Sequence, residues 1–361
     1  MGFYLPIVFI PALLVVLFSK LIWKRDITIK EWGLQLLALL AGSVISIGLI
    51  YSSTFALTGD FSIFNGYVTD KASVKVSCSH QYVCGETCSN VSDRDSKGNV
   101  TTRRVCEPVY CDEHDYDIDW DVHTTLGTWT IDRIDRRGVR EPPRWGVIDP
   151  GEPVAESRYV SNYMLLDDDR FKTDPNIMEK FKGKLFEYPK PFDYYRFNRV
   201  VQDNGGDYDG INIWLNNKLR KDGADKQLNI ILVVTQNDAD FYYAQMEYWK
   251  GARKNDVILF YGVDDDEKIQ WSRAISFADG QNNQILLSSL STMTYGKNLT
   301  DQLVQEQYAK IVQDFTRIPN SKFEYMREGY TPPTWWVLIV SLINLLFAIG
   351  AAWFVIKEDV A

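Results

Sequence analysis

Residues 227–263 read QLNIILVVTQNDADFYYAQMEYWKGARKNDVILFYGV. The run Leu228–Thr235 is apolar, rich in β-branched residues and too short for a helix to be preferred, so it reads as a buried strand. Asn237 and Asp238 then offer N-cap oxygens. Phe241, Ala244, Met246, Tyr248 and Trp249 give a short helix one apolar side, and Gly251 ends it. After a basic turn, Asp256–Val263 reads as a second buried strand. Strand, helix and strand in this length are the size of a βαβ unit with a right-handed crossover. Neither strand alternates apolar with polar residues, the pattern of strands covered on both faces.

Outward from this core, the chain concentrates its apolar residues in three places. It is 45% hydrophobic, yet its mean hydropathy is -0.22. Met1–Ile22, Trp32–Phe55 and Trp335–Ile356 each approach the ~20 apolar residues that span a bilayer. Trp23, Trp32, Tyr51, Trp335, Trp336 and Trp353 sit near their ends, as interface aromatics do. Lys20, Lys24 and Arg25 follow the first run rather than precede it, which is unlike a cleaved signal peptide. The positive-inside rule makes that loop cytoplasmic and places the N-terminus outside. Pro6 and Pro11 keep a re-entrant first segment open.

The expected architecture is a mixed α+β and α/β chain. Transmembrane helix 1 occupies 1–22, a basic cytoplasmic loop 23–32 and transmembrane helix 2 residues 33–55. A β-rich, Cys-containing module follows at 56–160, a connector at 161–196 and an extracytoplasmic α/β domain at 197–318. A linker at 319–333, transmembrane helix 3 at 334–356 and a cytoplasmic tail at 357–361 complete it. Within the module, Phe61–Val76 and Tyr116–Val122 alternate as strands, and Ser89–Thr102 reads as a mobile loop. The helix expected before the core spans Tyr208–Arg220, and the one after it Leu299–Ile318. Lys268–Ser276 supplies a third strand.

The net charge is -9, and the excess of acid lies between residues 53 and 333. That argues against nucleic acid as a partner. All five cysteines, Cys78, Cys84, Cys88, Cys106 and Cys111, lie within one short stretch. Outside the cytoplasm the spacing favours two disulfides with one thiol left over. With His80 and His114 nearby, it also admits zinc. No surrounding residue is placed to activate a thiolate.

The pieces Val200–Asp203, Leu215 and Leu219, Asn229–Thr235, Tyr243–Ala244, Trp249–Gly251, Lys254–Leu259 and Lys268–Gln270 resemble, in order, the TPM domain over about residues 197–317. That family occurs in membrane-anchored proteins of bacteria, chloroplasts and animals. The resemblance implies a compact α/β/α domain, often tethered by a C-terminal span, and the family's proposed activities include calcium binding, phosphatase action and maintenance of membrane complexes. Where the family carries a Gly-rich loop, this chain has Ser276–Phe277–Ala278–Asp279–Gly280–Gln281, with the glycine spacing lost. The three-span layout is also similar to that of uncharacterised membrane proteins of large tailed phages.

Asp264, Asp265 and Asp266 follow the Asp256–Val263 strand, and Asp238 follows the other strand end. Ligands of open α/β sheets bind beyond such ends. These four carboxylates are the candidate Ca²⁺ or Mg²⁺ ligands, against the plainer reading of a solvated acidic turn. Asp117, Asp119 and Asp121 are expected on the wet face of a charged edge strand. No Walker loop, GxGxxG, HExxH or nucleophile elbow occurs. The sequence therefore points first to a non-enzymatic, membrane-tethered binding or assembly protein without cofactor, acting on another membrane or envelope protein. The alternatives are a cation-dependent phosphatase of the TPM kind and a structural spacer.

Overall fold

The computed structural model describes residues 4–24, 26–94, 100–167 and 169–357. In chain order the elements begin with helices α1 (Tyr4–Leu17), α2 (Ser19–Trp23) and α3 (Ile29–Leu57). Strands β1 (Gly59–Val76), β2 (Gln81–Arg94), β3 (Val100–Asp112), β4 (Asp117–Thr124) and β5 (Thr128–Ile131) come next. Then follow α4 (Pro143–Gly146), β6 (Pro153–Ser161), α5 (Pro175–Lys180), β7 (Val200–Gln202), α6 (Asp209–Lys226), β8 (Asn229–Thr235), α7 (Phe241–Trp249), β9 (Asp256–Val263) and β10 (Ile269–Ser276). Helices α8 (Gln284–Thr292), α9 (Asp301–Asp314), α10 (Glu324–Gly329) and α11 (Thr334–Lys357) close the chain. Contacts divide it into two compact units. One is Met1–Ser62, Arg158–Tyr188 and Val233–Ala361; the other is Ile63–Ser157 and Pro189–Leu232.

Among the described residues, two helices, α3 and α11, are long and apolar enough to cross a membrane. Helix α1 has 14 residues with Pro11 inside it, and Lys24 in the left-handed region stops the short helix that follows. The first run is thus broken into two pieces, neither of spanning length by itself. Helix α3 starts with a capping box: Glu31 accepts from the Thr28 amide (2.7 Å), and the Glu31 amide donates to the Thr28 hydroxyl (3.2 Å). Val8, Ile50, Val337 and Val340 form one buried cluster among α1, α3 and α11, and Ala12, Val16, Leu39 and Ala348 form another. Gly42 lets α3 and α11 approach, since a Cβ there would lie 2.7 Å from Asn344 Oδ1. Leu37, Leu40, Val44, Leu338, Leu342 and Leu346 are left exposed on these helices.

The central sheet has the order β10-β9-β8-β7. Every residue of β8 and β9 is buried, and neighbouring residues of β9 show why. Phe260 stacks against Tyr242 of α7 (centroids 5.2 Å apart). The next residue, Tyr261, donates its hydroxyl to Gln307 of α9 at 2.7 Å. With a helix over each face, no position along the strand is left to water, and alternation disappears. β10 pairs antiparallel with β9. Helix α7 begins later than its side chains predict. Asp240 is the N-cap residue, while Asp238 turns the chain ahead of it by accepting from the Asp240 amide. Lys250, at φ 55°, closes the helix. Helix α6 buries Ile211, Leu215, Leu219 and Gly223, one stripe at helical spacing.

A second sheet has the order β5-β4-β1-β6, and a separate two-stranded sheet is formed by β2 and β3. Val68, Trp120, Val122, Ile131, Ile148, Val154 and Tyr195 form a core cluster. Nearby, the buried Arg199 guanidinium donates to Asn65, Asn216 and Asn229 side-chain oxygens at 2.6, 3.0 and 2.6 Å. Two expectations fail here. β4 lies between β5 and β1 and is not an edge. Much of the expected Ser89–Thr102 loop is strand, extending β2 to Arg94 and resuming β3 at Val100. Its centre, 95–99, lies outside the described residues.

Candidate functional site

The β2–β3 hairpin is an arm. Of its side chains only Cys88, Val105 and Cys111 are half-buried; the others described are exposed. A two-stranded hairpin with no core is marginal in water. Here two disulfides hold it, Cys84–Cys111 and Cys88–Cys106. Cys88 and Cys106 stand directly opposite each other in the antiparallel register. Cys78 is the remaining cysteine, buried and unoxidised. The arm exposes Tyr82, Val83, Val91, Val100, Val109 and Tyr110.

At the root of the arm, Cys78 and His80 precede β2, His114 follows β3, and Asp117 opens β4. One ligand atom from each lies within 4.8 Å of the others. Asp117 is fully buried. One of its oxygens accepts from the Ser79 amide and hydroxyl, both at 2.9 Å, and from Arg133 Nη1 at 2.8 Å. The other faces His114 Nε2 at 2.5 Å. The Ser79 amide foremost, then its hydroxyl, Arg133 and His114, hold this carboxyl well below the usual range despite its burial. Arg133 also grips Asp119 at 2.7 Å. His80 Nδ1 lies 3.4 Å from Asp117 and is buried without a hydrogen bond. Cys78 Sγ donates to the His80 carbonyl at 3.1 Å and accepts from the His80 amide at 3.4 Å.

The wet-face expectation is therefore corrected for Asp117. Strand alternation leaves Asp119 and Asp121 half-buried, but at the strand's first residue four donors from Ser79, His114 and Arg133 enclose the carboxylate. The only sequence trace of the cluster is Cys78-x-His80 and His114-x2-Asp117.

Three of the four proposed cation ligands, Asp238, Asp264 and Asp265, have carboxylates held by protein partners. Lys180 Nζ lies 2.6 Å from Asp238 and 3.1 Å from Asp240. Asp264 closes its own turn by accepting from the Asp266 and Lys268 amides at 3.1 and 2.9 Å. Asp265 accepts from Gln236 at 2.8 Å, and the Asp266 carbonyl accepts from Asn298. Among the described residues, the clusters of ligand-type side chains do not include these four.

A cavity of about 690 Å³ is lined by Asp60, Phe171, Lys172, Glu247, Lys250 and Arg253, among others. Burial pushes the Asp60 carboxyl up, against the pull of Arg253 and of Asn162, which donates to it at 2.7 Å. Asp60 and Arg253 form an ion pair at 2.5 Å.

Comparison with models of known families, with curated proteins and with solved structures finds no match for the chain.

Proposed function

We propose that this is a membrane-anchored, extracytoplasmic binding or assembly protein, and that the disulfide-stapled β2–β3 arm is the element it presents to another envelope or membrane protein. The carrying observation is the arm itself. It has strands of 14 and 13 residues, exposed almost throughout, and two cross-links in place of a core. Unpaired strand edges flanked by exposed valines and tyrosines suit main-chain pairing with a partner strand, and tyrosine suits an interface with one wet end.

The disulfides fit an oxidising compartment, and α3 and α11 fit anchors near both ends. In this reading α1 and α2 together form the third span, the basic loop after them is cytoplasmic, and the C-terminal tail is too. A cation-dependent phosphatase has less to support it, since three of its four carboxylates, Asp238, Asp264 and Asp265, already have partners.

The test uses the full chain in the cells that make it. A photo-crosslinking residue in place of Tyr110 should yield one discrete adduct with another membrane or envelope protein. The same residue in place of Tyr295, 91% exposed and far along the chain, should not. Adducts from Tyr295 but none from Tyr82 or Tyr110 would remove the arm from the account.

A further inference from the structure

We propose that Cys78, His80, His114 and Asp117 bind one zinc ion at the root of the arm. The donor set is one sulfur, two imidazole nitrogens and one carboxylate oxygen, which zinc takes in tetrahedral sites. With Zn–N near 2.0 Å and Zn–S near 2.3 Å, tetrahedral ligand atoms lie roughly 3.3–3.8 Å apart. The His80 Nδ1 to Asp117 distance of 3.4 Å falls in that range, while His114 Nε2 and the other Asp117 oxygen, 2.5 Å apart, have to part to admit the ion.

Three independent features point to an ion. His80 Nδ1 is a buried polar atom with no hydrogen bond, an arrangement that folded proteins avoid unless something else fills the need. Cys78 is buried and unoxidised beside four cysteines that are all oxidised. Asp117 is already oriented by Ser79 and Arg133, the outer contacts that metal-ligating carboxylates carry. The charges also balance. A Cys78 thiolate and the Asp117 carboxylate neutralise the dication with two neutral imidazoles, while Arg133 is matched by Asp119 at 2.7 Å. Binding releases the Cys78 thiol proton to solvent, and His114 binds through Nε2 as the neutral Nδ1–H tautomer. One thiolate among harder donors favours zinc over Cu(I), which selects softer sets.

The site would also do structural work. Its ligands come from both chain segments entering the arm, so an ion there clamps the root as the disulfides clamp the shaft. The proposal does not depend on what the arm binds.

The test is on the full chain in detergent, never exposed to reductant, loaded with zinc alone and freed of excess. Metal mass spectrometry should find one zinc per chain, falling to background in Cys78→Ser and in His114→Ala. His123→Gln, which removes the one histidine outside the cluster, should keep it. Zinc should slow modification of the Cys78 thiol in the wild-type chain at least ~10-fold, with a chelator restoring the rate, and Co²⁺ should give a sulfur-to-metal charge-transfer band. Those two readings need no variant and stand if Cys78→Ser fails to fold. Undiminished zinc in Cys78→Ser, a cobalt spectrum without the sulfur band, a thiol equally reactive with and without zinc, or copper outcompeting zinc would each overturn the proposal.

Discussion

Removing one disulfide from the arm should loosen the arm and leave the central sheet alone. Cys88 and Cys106 are 18 residues apart, Cys84 and Cys111 are 27 apart, and the shorter loop is nested in the longer. In the chain-entropy treatment, closing the inner loop alone is worth about 3 kcal/mol and the outer alone about 3.5. With the inner link in place, the outer one closes a ring of only about ten residues and adds roughly 2.7 kcal/mol. By the same cycle, the inner link adds about 2.3 kcal/mol to a chain that already holds the outer. Because the arm has no core of its own, these energies belong to its local opening. Amide hydrogen exchange should therefore speed up about 50-fold along β2 and β3 in Cys88→Ser/Cys106→Ser, and about 100-fold in Cys84→Ser/Cys111→Ser. Amides of β8 and β9 should keep their wild-type rates. Equal acceleration in β8 and β9 would show that the arm is not a separate unit of opening. Unchanged rates in the arm would show that something other than the cross-links holds it.

Other perturbations have defined outcomes. The folded pKa of Asp117 is depressed, so its contribution is complete above the unfolded value of about 3.9 and is lost as pH falls through the folded value. Melting temperature should drop in acid below about pH 4 through this group, and Asp117→Asn should lose that part of the drop while melting lower at neutral pH. Gly262→Ala puts a Cβ against the Trp271 indole, which donates to the Asn237 carbonyl at 2.9 Å. A loss of about 1–3 kcal/mol is expected in denaturant unfolding. Tyr261→Phe removes the buried hydroxyl that donates to Gln307 and should cost about 1–3 kcal/mol by the same measurement.

What could be read from the sequence follows from where each signal resides. β8, α7 and β9 were legible because burial on both faces leaves a continuous apolar run, a property of the segment itself. The cysteine cluster likewise announced two cross-links. β2 and β3 were partly missed because Ser, Asp and Asn give no strand signal; the cross-links and the register Cys88↔Cys106 impose the pairing instead. Asp117 was misplaced because alternation describes a strand against water and core, and here Ser79, His114 and Arg133 take the place of water. That Lys180 lies beside Asp238 and that Asp264 closes its own turn could not be read from composition.

The account rests on the arm standing outside the cytoplasm, and protease protection in intact cells tests that directly. Protease added outside should cut the full chain between α3 and α11 and leave a tag on the C-terminal tail untouched until the membrane is broken. A tail digested from outside, with residues 58–333 protected, would invert the topology and remove the setting in which the disulfides and the proposed docking make sense.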